Sequence, residues 1–483
     1  MATEANGYPI TSRPFSRKAF VSGMAAIGAG LALSACGGQQ TPTTTSTPAA
    51  TTDSALPTDT EKQVDEVWNT TFNSAYPHGN EGMGCVALAM HNGEVVFQKA
   101  YGYAHYYEPD YSADGSTYAN PTYKKIDNPV PMELDTLFDL ASVTKVMATT
   151  QSIILLVDQK KLSVDDKVAD YLPGFEQNDK GNITIAQLLT HSSGLPQWEP
   201  TYLYCTTRAE QLDYIKQLSL MPEFKTDGSE PMYSDFSFMT LGFVVEAITS
   251  QPMEQFVLEN VYEPLGMSST GYRPLDRGVD PSKIAATSLG NPYEYRMVDE
   301  KDYPGVGYDC TKDAEAFEKF TGWRRQALIG ETNDGNAAMG GEGVAGHAGL
   351  YSTAADLGVL LQCMLDGGEH DRTKLYSKDT IKLFTERHTT YAENHDGEDS
   401  SDFGYGFKLK QSWMGETATI SCFGHDGFTG TSAFADPDNN YVFVCLSNKM
   451  QAGFREPDSG LYYNTNKTLS LEMNKVLRNA LNI

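Results

Sequence analysis

The sequence predicts an α+β fold: an antiparallel β-sheet flanked by helices, with an inserted all-helical region. Three observations carry this expectation. A hairpin signal stands near the start of the patterned chain, four short β-rich runs stand near its end, and the periodicity between them is helical. Strands so far apart, with no repeated strand–helix alternation, pair most simply into one antiparallel sheet. Composition is compatible, because 40% hydrophobic residues and 20% charged residues in 483 suffice for a sizeable core.

The elements follow in order. Residues 61–75 space Val64, Val67, Trp68 and Phe72 as a helix would. Residues 84–90 form a strand-like run, His91-Asn92-Gly93-Glu94 is a hairpin turn, and 95–100 is the return strand. Residues 105–131, rich in Tyr, Pro, Asp and Asn, read as a long surface excursion. A periodic helix runs over 142–162 through Val146, Thr149, Ile153, Leu156 and Val157. Thr184 is the N-cap of a short helix through Leu188 and Leu189, stopped by Ser193-Gly194-Leu195-Pro196. Helices are expected over 238–248, 253–261 and 354–365, and within the irregular stretch 281–341 around 313–320. Strands are expected over 404–409, 417–423, 431–436 and 441–447, and a helix over 464–481 closes the chain. The α/β part therefore spans about 61–135 and 366–483, and the helical part about 136–365, within one domain over 61–483.

The N-terminus reads as an export signal over 1–35. Arg13, Arg17 and Lys18 form a basic region, and residues 19–35 follow without a charge. That run is short for a spanning helix of about 20 residues but suits a signal core. It ends in Leu33-Ser34-Ala35-Cys36-Gly37, which resembles a bacterial lipoprotein box with Cys36 as the lipidated residue. Ser-Arg-Lys-Ala-Phe-Val is also a near-miss of a twin-arginine signal, with Lys18 in the second Arg position. Residues 36–60, rich in Thr and with Pro42, Pro48 and Pro57, cannot build a core and read as a tether. The expectation is an exported lipoprotein, held at the cell membrane by its lipid and facing outside the cytoplasm.

A net charge of -27 repels phosphate backbones and disfavours nucleic-acid binding. Seven Cys in 483 residues exclude a disulfide-built scaffold. Cys85, Cys422 and Cys445 fit buried strand positions, and a Cys205–Cys310 bridge is open to an exported chain. No metal-binding His-Glu-x-x-His, phosphate-cradling glycine loop or dinucleotide fingerprint occurs, so no metal and no cofactor is expected.

The chemistry centres on Phe138-Asp139-Leu140-Ala141-Ser142-Val143-Thr144-Lys145. Ser142 and Lys145 stand three apart at a helix start and share a face. A serine hydroxyl needs a base, and a lysine serves only if its pKa is lowered. The helix start also offers the Ser142 N–H to a developing oxyanion. Tyr233-Ser234-Asp235 precedes an apolar helix, and a tyrosine in a cationic pocket can share a proton with Lys145. Phe423-Gly424-His425-Asp426-Gly427-Phe428 falls on an expected edge strand, where the Phe428 N–H is the second oxyanion donor and glycines let a substrate lie along the strand.

In that order, Ser142-x-x-Lys145, Tyr233-Ser234-Asp235 and His425-Asp426-Gly427 resemble the three motifs of the serine β-lactamase and penicillin-binding superfamily. The Tyr form of the second motif resembles the class C β-lactamase branch, with its D-Ala-D-Ala carboxypeptidases, esterases and D-aminopeptidases. The stretches Thr136-Leu-Phe-Asp-Leu-Ala-Ser, Leu188-Leu-Thr-His-Ser-Ser-Gly-Leu-Pro196 and Gly346-His-Ala-Gly-Leu-Tyr-Ser-Thr353 are similar to that branch too.

The resemblance implies a β-lactamase/transpeptidase-like fold and an acyl-enzyme on Ser142. Lys145 and Tyr233 would manage the proton, while Asp235, His425 and Gly427 would contact substrate. His191 and His347 are read as loop-ordering residues. Two departures tilt the reading from antibiotic resistance towards a peptidase or esterase. Asp235 stands where class C enzymes carry Asn, and can pair with Lys145. His425 stands where β-lactamases carry Lys, and would be only partly charged near neutrality. The expected activity is a monomeric, membrane-tethered serine hydrolase acting on cell-wall-derived D-Ala-D-Ala-type peptides, related amides or small esters. Its alternatives are a weak class C-like β-lactamase and a non-catalytic cell-wall peptide-binding lipoprotein.

Overall fold

Seven antiparallel strands carry the architecture. The structure, a computed structural model, describes residues 56–71, 81–221, 231–299, 310–389, 402–452 and 465–483. The expected signal segment, Cys36 and the tether up to residue 55 lie outside the described residues, as does the side chain of Cys310. The strands are β1 (Gly84–His91), β2 (Glu94–Asp110), β3 (Thr122–Pro131), β4 (Lys408–Leu409), β5 (Phe423–Gly427), β6 (Thr431–Asp436) and β7 (Tyr441–Ser447). Their order across the sheet is β4-β5-β6-β7-β1-β2-β3, so the chain's first hairpin and its last strands meet at the β1–β7 seam. The chain is thus an α+β fold with one main antiparallel sheet.

Both faces of that sheet are covered, which is why β1 and β7 read as unbroken apolar runs. Cys85, Ala87 and Ala89 of β1, with Tyr441, Phe443 and Cys445 of β7, point to one face. The terminal helices Thr60–Thr71 and Thr465–Leu481 close it with Val64, Trp68, Leu469, Met473 and Leu477, single stripes spaced by four. Val86, Leu88, Met90, Val442, Val444 and Leu446 point the other way. They enter the larger core with the helices Thr150–Asp158, Asp235–Thr249 and Ala354–Leu365.

Two expectations change. Residues 105–131 are no surface excursion: β2 runs on to Asp110 and pairs with β3 in the register Tyr107↔Lys125 and Asp110↔Thr122. Tyr106 and Tyr107 cause this, because both are buried against Tyr123, Ala286 and Leu289. Pro129 and Pro131 fit there because β3 is the outermost strand and needs no further ladder donors. Strand 404–409 shrinks to two residues, and 417–423 starts only at Phe423. Residues 417–419 are instead tied down by side chains: Arg478 Nε donates to Thr417 Oγ1 (2.8 Å), and Thr419 donates to Asp436 (2.5 Å). Cys205 is buried, and the side chain of its possible bridge partner Cys310 lies outside the described residues. Among the described residues, no helix is long and apolar enough to cross a membrane.

Candidate active site

The nucleophile segment is not an ordinary helix start. Ala141–Val143 forms a 3-10 turn, Lys145–Thr149 a π-helical turn, and only Thr150–Asp158 is α-helix, four residues short of the expected end. Ala141 has φ 45°, in the left-handed region that costs a non-glycine residue about 1–2 kcal/mol. Buried hydrogen bonds hold this turn. Asp139 Oδ1 accepts the Ala141 N–H (2.9 Å) and its Oδ2 the Asn333 N–H (2.6 Å). From the sheet, Thr429 donates to Asp139 O (2.7 Å) and Thr431 to Leu140 O (2.9 Å). Burial pushes the Asp139 carboxyl up to about 6, despite those two N–H donors.

Lys145 is fully buried and lies at the centre of the predicted residues. Its Nζ donates to Ser142 Oγ (3.1 Å), Asp235 Oδ1 (2.6 Å) and His347 O (3.3 Å), and lies 4.8 Å from the centre of the Tyr233 ring. Burial alone would lower its pKa, but Asp235 and Tyr233 outweigh it and raise it above the ordinary value. Lys145 is therefore held as an ammonium, the opposite of what a resting general base requires. The Asp235–Lys145 pairing expected from the second motif is present. Asp235 opens the helix Asp235–Thr249, whose N-cap Ser234 accepts the Ser237 N–H (3.3 Å).

Tyr233 sits on the same cluster. Burial pushes its phenol up to about 12, while Lys145 pulls it down, so it rests protonated. His191 packs on its ring (centroids 4.5 Å apart) and accepts the Ser234 N–H at Nδ1 (3.0 Å). His191 thus orders the second-motif loop. His347 does more than order a loop, since its carbonyl holds Lys145 and its ring bonds Asp334 (3.0 Å).

The third motif arrives on β5, which is second from the sheet edge rather than at it. The two-residue β4 covers only Phe423 and Gly424, and the strand then continues through His425 to Gly427. A Cβ on Gly427 would lie 2.5 Å from Leu140 O, so glycine lets β5 pass against the nucleophile turn. Phe428 follows, half exposed, and faces the same cavity as Ser142. His425, expected to be partly charged, is buried and neutral: burial, then the Lys408 charge, bring its pKa down to about 3. Its Nδ1 is 2.6 Å from Asp426 O and must donate to it. The cation here is instead Lys408 of β4, 5.5 Å from the Tyr233 ring centre and 2.6 Å from Asp426 Oδ1.

A cavity of about 400 Å³ opens beside Ser142. Trp198, Tyr293, Met297, Phe428 and Met450 give it apolar walls, and Asp235, Glu294 and Asp334 give it an acidic one. Much of it comes from the irregular 281–341 stretch. The β2–β3 hairpin braces that stretch from behind, where Tyr118 donates to Arg324 O (2.8 Å) and accepts the Asn291 N–H (3.0 Å). Burial and the Asp334 charge push the Glu294 carboxyl up to about 8. Asp334 resists burial through His347 and stays below its ordinary value. Asp235, Asp334 and His347 present three ligand atoms within 4.8 Å of one another, but Lys145 already engages the first and His347 the second. Sequence reasoning did not single out Asp334, Glu294 or Lys408, although Ser142, Tyr233, Asp235, His347 and Phe428 of the same cavity stand in segments that it did.

Comparison with known proteins agrees with this geometry. The sequence model of the Beta-lactamase family matches residues 72–465. An Escherichia coli (strain K12) protein named "Putative D-alanyl-D-alanine carboxypeptidase" is 34% identical over 415 residues, 82% of this chain and 83% of that protein. A Salmonella schwarzengrund protein of the same name is 32% identical over 390 residues, 77% and 79% of the two chains. Among solved structures, the hydrolase EstCE1 superposes with TM-score 0.58 at 21% identity, covering 87% of this chain and 98% of its own. The D-amino acid amidase of Ochrobactrum anthropi SV3 does so with TM-score 0.58 at 18% identity, covering 87% and 99%. With its fold, its ordered motifs and these relatives, the chain belongs to the Beta-lactamase family and is a hydrolase of its class C-related branch.

Proposed function

We propose that this protein is a serine hydrolase working through an acyl-enzyme on Ser142, with D-Ala-D-Ala-type peptides, related amides or small esters as substrates. The observation that carries the reading is the Lys145 ammonium, 3.1 Å from Ser142 Oγ and beneath the Tyr233 ring. Ser142 Oγ attacks the substrate carbonyl as its proton passes to the oxygen of Tyr233 in its ionised form, the minority phenolate that has given its own proton to solvent and that the Lys145 ammonium stabilises. The Ser142 and Phe428 N–H groups hold the oxyanion, and the leaving amine or alkoxide takes the proton from Tyr233. Water then attacks the acyl ester and releases the acid, restoring Ser142. The names of the relatives support peptide and amide substrates. Gly427 and Asp235 border the substrate, whereas His425 shapes the strand beneath it.

The acidic wall favours a second reading within the same chemistry. A substrate whose amine lies close to the scissile carbonyl, such as an amino-acid amide, would place its ammonium against Asp334. A C-terminal carboxylate would meet Asp334 unfavourably there.

The chain is also proposed to act outside the cytoplasm, held by lipid on Cys36 and as a monomer. Cys36→Ala would move it from the membrane fraction to the soluble one.

The central test is covalent labelling by a fluorophosphonate or a fluorescent penicillin, with and without Ser142→Ala. Labelling that disappears in the variant is expected; equal labelling of both proteins defeats the reading. Turnover of nitrocefin, p-nitrophenyl acetate, a D-Ala-D-Ala peptide and a D-amino-acid amide, measured side by side, then ranks the substrate classes. Peptide binding without turnover of any of the four would instead support a non-catalytic role.

A further inference from the structure

Two ion pairs lie close to Tyr233. Lys145 Nζ is 4.8 Å from the ring centre and is bonded to Asp235 at 2.6 Å. Lys408 Nζ is 5.5 Å from the ring centre and is bonded to Asp426 at 2.6 Å. The proposed function uses the first pair and leaves the second without a role. Lys408 comes from outside all three motifs. The register Lys408↔Gly424 brings it beside the third motif, and its side chain is only 17% exposed.

Among the described residues, the two other titratable groups packed at the ring are the imidazoles of His191 and His425. Neither supplies charge. Burial drives both pKa values down, and the Lys408 ammonium is among the further causes for each. The Lys408 field therefore reaches across the space around Tyr233. Lys145 lowers the phenol's pKa even with Asp235 opposing it, and the ammonium of Lys408 is a second lever of the same sign, with Asp426 setting how much of it is felt.

We propose that Lys408 is a positioning residue for proton transfer: its ammonium stabilises the phenolate of Tyr233 that accepts the Ser142 proton, and Asp426 tempers that effect. This rests on the acyl-enzyme reading above. Charge on Lys408 favours the ionised form of Tyr233, so its loss makes the active form appear only at higher pH. Loss of the opposing charge on Asp426 does the reverse. Opposite shifts from the two members of one ion pair are an electrostatic signature. Simple loss of a structural contact would weaken both variants in the same way.

The test is the pH profile of kcat/KM for p-nitrophenyl acetate, an uncharged substrate that cannot itself bind to Lys408. Lys408→Met should move the acid limb up by about half to one pH unit, a roughly three- to tenfold loss on that limb. Asp426→Asn should move it down, and Lys408→Arg should restore the parent profile. In Lys408→Met the imidazole of His425, followed by NMR, should also titrate at a higher pH than in the parent. The proposal is overturned if Lys408→Met and Asp426→Asn shift the limb in the same direction. It is equally overturned if Lys408→Met lowers activity evenly at every pH, or changes KM alone. Should Lys408→Met fail to fold, Asp426→Asn and Lys408→Arg still decide the sign. Failure of the hydrolase reading is distinguishable, because then the parent protein and Ser142→Ala would label alike.

Discussion

At the scale of single residues, the site differs from a lysine-base site through one carboxylate. Asp235 holds Lys145 as an ammonium and adds negative charge beside Tyr233. Asp235→Asn would remove both effects, lowering the pKa of lysine and phenol together. The acid limb of kcat/KM should then move to lower pH, and acylation by nitrocefin should quicken relative to p-nitrophenyl acetate; an unmoved limb would refute this. Glu294 makes a separate stability prediction. Its carboxyl rises from an ordinary 4.5 to about 8 on folding. The folded protein thus binds the extra proton between those values, and stability from this group falls as pH rises from 4.5 to 8. Glu294→Gln should flatten that part of a Tm-against-pH curve. Ser142, Lys145 and Tyr233 were legible because each stands in a motif whose spacing carries meaning. Lys408, Asp334 and Glu294 were not. A strand register places the first, a loop just before a one-turn helix the second, and the short helix Pro292–Asp299 within the irregular stretch the third, and none of these has a long local periodicity to read.

At the scale of elements, the nucleophile turn is held mainly from outside itself. The left-handed Ala141 is stabilised by a carboxylate two residues back, and Thr429 and Thr431 of the β5–β6 turn region pin the carbonyls before it. Asp139→Ala would leave two buried N–H groups without acceptors, costing about 1–3 kcal/mol for each. It should lower the denaturation midpoint and also reduce fluorophosphonate labelling of the folded protein, because the turn that aims Ser142 relaxes. A normal labelling rate would show that the turn holds its shape without Asp139. The long helices were readable from their apolar stripes; Ala354–Leu365 and Thr465–Leu481 fall where the periodicity puts them. The β2–β3 hairpin was hidden because its inward residues are tyrosines, which read as polar-surface composition yet bury large apolar rings. The π-helical turn at Lys145 was hidden as well, since a 3.6-residue stripe looks the same through one widened turn.

At the scale of the whole molecule, the sheet separates two tasks. Its inner face carries the helices of the site, and its outer face is closed by the first and last helices of the described chain. One buried ion pair fastens that outer layer: Arg478 Nη2 meets Asp436 Oδ2 at 2.8 Å, with both side chains almost fully buried. Asp436 also accepts from Thr419 and Asn439. Burial pushes its carboxyl up, yet these donors and Arg478 pull it further down, to a net value below 3.8. Stability from this group is therefore present above pH 3.8 and lost as pH falls through the folded value. Arg478→Met would strand a buried carboxylate, at a cost of about 3–5 kcal/mol. Arg478→Met with Asp436→Leu removes both charges and should recover part of that loss. The sheet stands between this pair and Ser142, so the kcat of whatever folded protein remains should match the parent in either variant. A fall in kcat with an unchanged denaturation midpoint would contradict this division, because it would mean that the outer clamp, and not only the inner face, shapes the site.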